Sequence, residues 1–169
     1  MNTINTYLLD ASVFIEAKRR YYAFDLCPGF WESLIWNYRQ NRILSINQVK
    51  KELEDGKDEL SKWITSKMPS DCFVSTNTVS VSNWFGEMQA WVQGQSQFLD
   101  EAKAEFAAKP DCWLVAYAKA NDFTLVTQEV FSQFVRKRIP IPNACKAFNV
   151  DYINTFDMLK ALGVKFVLE

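Results

Sequence analysis

Apolar positions along this chain fall into two rhythms. Some form short β-prone runs; others return at i, i+3, i+4 and i+7. The first run, Ile4-Asn5-Thr6-Tyr7-Leu8-Leu9, reads as a buried strand and stops at Asp10. Ala11-Ser12-Val13-Phe14-Ile15-Glu16-Ala17 then begins a helix, with Ser12 as its expected N-cap. Asp10 is therefore either a turn and capping residue or a group held where ligands collect, beyond the carboxyl end of a strand.

Pro28-Gly29 breaks the chain and a helical pattern resumes over residues 30–38. Ile43-Leu44-Ser45-Ile46 predicts a second strand, followed by a helix from Asn47 that Ser45 and Gln48 would cap as a box and Gly56 would stop. Further helices are expected over residues 58–67, 79–93 and 97–108, with Trp84, Phe85, Met88, Trp91 and Val92 in the second and Phe98, Ala102 and Phe106 in the third as core positions. Pro110 suits the first position of the next helix, in which Leu114, Val115 and Ala118 share a face with Asp111. Residues 122–126 form another β-prone run, ending in Thr127-Gln128-Glu129. An extended connection through Pro140 and Pro142 leads to a short helix over 143–148, then a strand over 150–153. A helix over 156–161 follows, capped by Asn154 or Thr155 and stopped by Gly163, and residues 165–168 read as a last edge strand. Strands alternating with helices predict an α/β fold, a mainly parallel sheet with helices on both faces.

On such a sheet Asp10 and Glu129 share one rim, and Asp111 reaches it from a helix start. An inward carboxylate at Asp111 must either cap its helix or coordinate something, because an unpaired buried charge is costly. On the helix after the second strand, Glu52 and Glu54 flank the apolar face on opposite sides, so spacing alone does not choose between them.

With 169 residues, 49% of them hydrophobic, the chain suits a single domain over residues 1–169 with a substantial core. Lys plus Arg total 19 against 20 Asp plus Glu, so contact with a polyanion would have to come from local patches, of which Lys18-Arg19-Arg20 and Arg136-Lys137-Arg138 are the candidates. No apolar run approaches the ~20 residues of a bilayer crossing; no membrane partner is expected, and the expected compartment is the cytoplasm. Cys27, Cys72, Cys112 and Cys145 lie far apart, as free thiols would. There is no histidine, which removes Ser-His-Asp and Cys-His catalysis and histidine-based zinc sites together. Clustered carboxylates raise one another's pKa unless a cation lies between them, and an all-oxygen set favours Mg²⁺ or Mn²⁺.

Four segments, Leu8-Leu9-Asp10-Ala11-Ser12-Val13-Phe14-Ile15, Val49-Lys50-Lys51-Glu52, Asp111-Cys112-Trp113-Leu114-Val115-Ala116-Tyr117-Ala118 and Val126-Thr127-Gln128-Glu129, occur in the order found in PIN domains, the family that includes the VapC-type toxins of bacterial toxin-antitoxin pairs. With the tail Ile141-Pro142-Asn143-Ala144-Cys145, the chain most resembles a branch of single-domain bacterial PIN-like proteins of unassigned function, over residues 8–162. The resemblance implies a PIN-like three-layer α/β/α fold with a helical insertion, and a metal-dependent endoribonuclease. It implies Asp10, Glu52, Asp111 and Glu129 as acidic metal-site positions using Mg²⁺ or Mn²⁺, with Ser12 and Thr127 as polar supports, and so selects Glu52 over Glu54. Glu129 departs from the more usual aspartate, and its longer arm is expected to reach the metal through water. RNA, an antitoxin protein and a second copy of the chain are the partners expected. Two competing readings are an aspartyl-nucleophile phosphatase using Asp10, weakened by Ser12 where a second Asp is needed, and a non-catalytic PIN-like binding module whose Trp- and Phe-rich helices engage a partner.

Overall fold

The computed structural model describes residues 4–168. Its elements run β1 Tyr7–Leu9, α1 Ala11–Arg19, α2 Pro28–Arg39, β2 Ile43–Ile46, α3 Asn47–Asp55, α4 Glu59–Ser66, β3 Phe73–Val74, α5 Val79–Gly94, α6 Asp100–Ala108, α7 Pro110–Asn121, β4 Thr124–Val126, α8 Ile141–Phe148, β5 Tyr152–Ile153 and α9 Thr155–Ala161. The five strands pair in parallel in the order β3-β2-β1-β4-β5. Tyr7 is in register with Ile43 on one side and Thr124 on the other. Right-handed crossovers in that order carry the β1–β3 connections over one face and the β3–β5 connections over the other. Accordingly α1 packs with α3 and α4, and α7 packs with α5, α6 and α8. The expected α/β architecture is the one found, and α5 and α6 are the helical insertion.

The central strands β1, β2 and β4 are nearly continuous apolar runs because both faces are covered. Leu8, Leu9, Ile46, Leu125 and Val126 are fully buried with Phe14 and Phe30. Ser45, the one polar residue of β2, is also fully buried and donates to the Leu9 carbonyl at 2.6 Å. That bond ties β2 to the end of β1, next to Asp10.

Chain connections leave β1 and β4 in opposite directions, toward β2 and β5. The gap beyond their carboxyl ends is thus the topological switch point, the place where open α/β sheets receive ligands.

Several local expectations are corrected. Ile46, not Ser45, stands at the N-cap of α3, since the Ser45 hydroxyl is committed to the sheet and Gln48 donates instead to Thr76 Oγ1 at 2.6 Å. Asp10, not Ser12, occupies the N-cap position of α1, and Ser12 lies inside the helix. Gly56 keeps a right-handed conformation and Lys57 takes the positive φ that reverses the chain. β1 begins at Tyr7, three residues later than the apolar run suggested. α8 starts at Ile141, because Pro142 fits the first turn of a helix as well as it fits an extended link. β3 was not anticipated, being two residues long. Residues 165–168 are not a strand: they meet no sheet edge, Val167 and Leu168 are exposed, and Phe166 packs against Tyr22 at 5.7 Å instead.

Candidate active site

The centre is built from the ends of β1 and β4. The Asp10 N–H donates to the Val126 carbonyl at 3.0 Å, which locks Asp10 one step beyond the paired strands. Its carboxylate is 5% exposed, and its Oδ2 accepts from the Ser12 hydroxyl at 2.6 Å and the Thr127 hydroxyl at 3.0 Å. Both hydroxyls are themselves oriented, Ser12 Oγ by the Gln128 N–H at 3.0 Å and Thr127 Oγ1 by the Glu129 N–H at 3.1 Å. Each hydroxyl therefore spends its proton on Asp10 and takes one from the backbone after β4. The 3.4 Å approach between the two hydroxyls is then a contact rather than a further bond. Ser12 and Thr127 thus both donate to Asp10 and hold its carboxylate in place.

Three more acids reach the same field. Asp111 sits in the first turn of α7 after Pro110, with Cys112, Leu114, Val115 and Ala118 buried behind it. Its carboxyl is pushed up to about 8 by burial, then by the charges of Asp10, Glu129 and Glu52, with Lys109 opposing. Burial also raises Glu129, assisted by Asp10, while the Ile141 N–H bond and Arg138 pull it down. Glu52 keeps solvent access on α3, yet partial desolvation and the charges of Asp10 and Glu129 still raise it. Asp10 is raised by burial against the opposing pull of Ser12, Thr127 and the amides that open α1. Glu54, by contrast, faces Lys50 at 3.7 Å on the same helix, so it is Glu52 that joins the acidic field.

The four carboxylates are not equivalent in posture. Asp111 and Glu129 share the wall of a small cavity, about 90 Å³, with Lys109 and Arg138. Glu129 Oε2 is held by the Ile141 N–H at 2.7 Å and faces Arg138 at 3.6 Å. Among the described residues, no three or more His, Cys, Asp or Glu side chains form a ready-made cage for an ion. The centre is therefore a charged, partly closed rim, balanced in this conformation by two basic residues. Cys145 is fully buried and burial raises its thiol, which leaves it inert as a nucleophile.

The basic clusters divide. Lys18 is turned to Asp58 at 2.5 Å, and Arg19 is exposed, while Arg20 pairs with Glu16 at the mouth of a second cavity. Arg136 donates to the Gln97 carbonyl at 3.3 Å, Lys137 is exposed, and Arg138 turns to the acids. Neither run acts as one uniform patch. Sequence reasoning missed Lys109, Gln128 and Asn143. Lys109 directly precedes the Pro110-Asp111 helix start, where a cation naturally faces the acids. Asn143, buried, accepts from the Ser132 N–H at 3.1 Å and donates to the Ser132 carbonyl at 2.8 Å, pinning the loop that carries Glu129. Its signal was an amide inside the apolar Ile141-Pro142-Asn143-Ala144-Cys145 stretch.

The aromatic helices pack on one another. Phe85 stacks on Trp113 at 3.9 Å and Trp91 meets Phe148 at 5.7 Å, so these rings are largely spent on internal packing.

Comparison with known proteins agrees with this architecture. A family model described as "Domain of unknown function (DUF4411)" matches residues 7–166. No curated protein matches the chain. Among solved structures, a chain of FitAcB from Neisseria gonorrhoeae is similar at 15% identity and a TM-score of 0.57, over 89% of this chain and 99% of that one. A chain of VapBC2 from Rickettsia felis, determined bound to a DNA fragment from their promoter, is similar at 16% identity and a TM-score of 0.53, over 88% of this chain and 98% of that one. At such identities the likeness is one of fold, and the fold is PIN-like. Among the described residues no helix is long and apolar enough to cross a membrane.

Proposed function

The chain belongs to the family described as domain of unknown function, DUF4411, and from its acidic rim we propose that it is an endoribonuclease dependent on Mg²⁺ or Mn²⁺. The observation that carries this reading is the gathering of Asp10, Glu52, Asp111 and Glu129, from four separate segments, into one field where burial raises all four carboxyl pKa values and the charge of Asp10 further raises those of Glu52, Asp111 and Glu129. A divalent cation relieves that repulsion, and an all-oxygen donor set suits a hard ion. The chemistry of the residues therefore fits the group, with Asp10, Glu52 and Asp111 as the residues that would hold it and Glu129 as the fourth position. Such an ion would supply an activated water and charge neutralisation for displacement at a phosphodiester.

The chain's own contributions follow from the hydrogen bonds. Ser12 and Thr127 fix Asp10 by donating to its Oδ2. Lys109 and Arg138 are the cations beside Asp111 and Glu129, suited to receive a phosphate oxygen once those acids are neutralised. RNA as the substrate rests on the resemblance to PIN domains. The fold shared with chains of VapBC2 and FitAcB supports a role as the toxin of an antitoxin-controlled pair in the cytoplasm, with an antitoxin protein and a second copy of the chain as partners. An aspartyl-phosphate route is disfavoured, because an attacking Asp10 would have to give up two hydroxyl bonds in a buried setting.

The test is incubation of the purified protein with a mixed RNA pool, with and without Mn²⁺, beside Asp10→Asn. Cleavage that needs both the metal and Asp10 is the expected result; equal, metal-independent behaviour of the two proteins would reject the proposal.

A further inference from the structure

Beside the acids lies a much larger cavity, about 580 Å³, that the proposed hydrolysis does not by itself require. Ser12 and Glu129 form part of its wall, so it opens directly from the acidic rim. Its volume lies within the range of small-molecule sites. It also carries aromatic rings: Tyr21 is 72% exposed, and Phe156, 46% exposed, meets Tyr22 at 6.1 Å and 57°. Tyr22 is itself braced by stacking on Phe30 at 4.6 Å and 2°, so one wall is stiff. Arg20, paired with Glu16, and Arg138, beside Glu129, complete the lining. Cations together with aromatic rings match a nucleotide, with its phosphate toward Arg138 and the acidic rim and its base toward the rings.

The same cavity holds a polar group with a fixed orientation. Gln128 lines the cavity, and its Oε1 accepts from the Thr155 N–H at 3.0 Å. A backbone N–H can only donate, so the amide atom facing Thr155 must be the oxygen, and the Nε2 donor is turned elsewhere. Among the described residues Nε2 has no hydrogen-bond partner. Thr155 lines the same cavity, is 3% exposed, and carries a hydroxyl that is also without a partner among the described residues.

We infer that this cavity receives the nucleobase adjoining the scissile phosphate of an RNA strand, and that Gln128 is a specificity-determining residue that reads a carbonyl on the base edge. The inference rests on the nuclease reading for the position of the phosphate, and it deepens that reading by naming what is recognised. A fixed donor favours uracil and guanine, which present carbonyl oxygens, over cytosine and adenine, which present amino groups at the equivalent positions. A base inside the cavity cannot be paired, so recognition also requires an unpaired nucleotide there.

The experiment is fluorescence anisotropy in Ca²⁺ with labelled oligouridine and oligocytidine of one length, a hairpin duplex, and free uridine monophosphate as competitor. The variants are Tyr21→Ala, Phe156→Ala and Gln128→Glu, with Trp36→Ala as a control on an exposed ring outside the cavity. Wild type is expected to bind oligouridine more tightly than oligocytidine and both more tightly than the duplex. Tyr21→Ala should weaken strand binding at least about fivefold, the lower end for loss of one base stack, with Trp36→Ala unchanged. Gln128→Glu still accepts from Thr155 but turns an acceptor into the cavity, so the uridine-to-cytidine ratio should fall or invert even as added charge weakens all binding. Wild-type affinity in both aromatic variants, or an unchanged ratio in Gln128→Glu, would overturn the inference; so would a monophosphate that binds as tightly as the strand, which would mark a free-nucleotide site. These shifts without any Mn²⁺-dependent cleavage would uphold the cavity and remove the nuclease reading, whereas cleavage without the shifts would do the reverse.

Discussion

The two rims of the sheet use the same residue types for opposite purposes. At the rim where strands begin, Asp122 and Asn149 end α7 and α8 in the left-handed conformation, with φ of 56° and 53°. They line a polar cavity with Asn5 and Asp151, and Asp122 and Asp151 are exposed. At the rim where strands end, Asp10, Asp111 and Glu129 lie within one another's electrostatic field and are partly or wholly removed from water. Helix polarity separates the two. α1, α3 and α7 begin at the strand-end rim and present N–H groups there, which tolerates carboxylates; helices finish at the other rim, where Asp and Asn serve to reverse the chain. Being acidic or an amide therefore says little about role; the end of the helix on which the residue sits says much more.

The sharpest way to break this contrast is to neutralise one acid on each rim. Asp10→Asn or Asp111→Asn should lower metal-dependent RNA cleavage about a thousandfold, the scale of losing several kcal/mol of transition-state charge stabilisation, while Asp122→Asn and Asp151→Asn cleave at the wild-type rate. Next in size are the supports. Ser12→Ala and Thr127→Ala should each cost about 10–100-fold, as removal of a group that orients a metal ligand does, with far-ultraviolet circular dichroism unchanged.

A third expectation concerns stability against pH in metal-free protein. The Asp111 carboxyl is raised from 3.8 to about 8 on folding, so the folded chain holds a proton that the unfolded chain releases. Its stabilising contribution is fully present below about 3.8 and is lost as pH rises toward 8. The thermal midpoint should fall between pH 5 and 9, Asp111→Asn should flatten that fall, and Mn²⁺ should restore wild type at the alkaline end. A wild-type profile in Asp111→Asn would detach Asp111 from the acidic field. The smallest effect belongs to the opposite rim: Asn149→Val should destabilise by about 1–2 kcal/mol, since a β-branched residue resists a positive φ, and should leave cleavage by the remaining folded protein unaltered.

Much of this layout was legible in the residues because the central strands are buried on both faces and their apolar runs are unambiguous. Asp10 and Thr127 could be recognised as strand-end residues for the same reason, and Asp111 by its place on the face of Leu114, Val115 and Ala118. What could not be read locally depends on a partner distant in sequence. Ser45 has the form of a cap, but its hydroxyl is taken by Leu9. The 165–168 segment has the alternation of a strand without a free edge to join. Arg138 has the form of a solvated cation, yet turns back to Glu129. Gln128 has no pattern of its own, and its fixed amide becomes visible only once Thr155 is opposite it. The membership of Glu52 in the acidic field follows from packing that no helical wheel could supply.

The bond between Asp10 and Thr127 spans 117 positions of the chain. A polypeptide emerging from the ribosome thus carries Asp10 with only Ser12 beside it until β4 has been made, when the second hydroxyl arrives. The braced aspartate is therefore a property of the assembled sheet and not of the segment that encodes it.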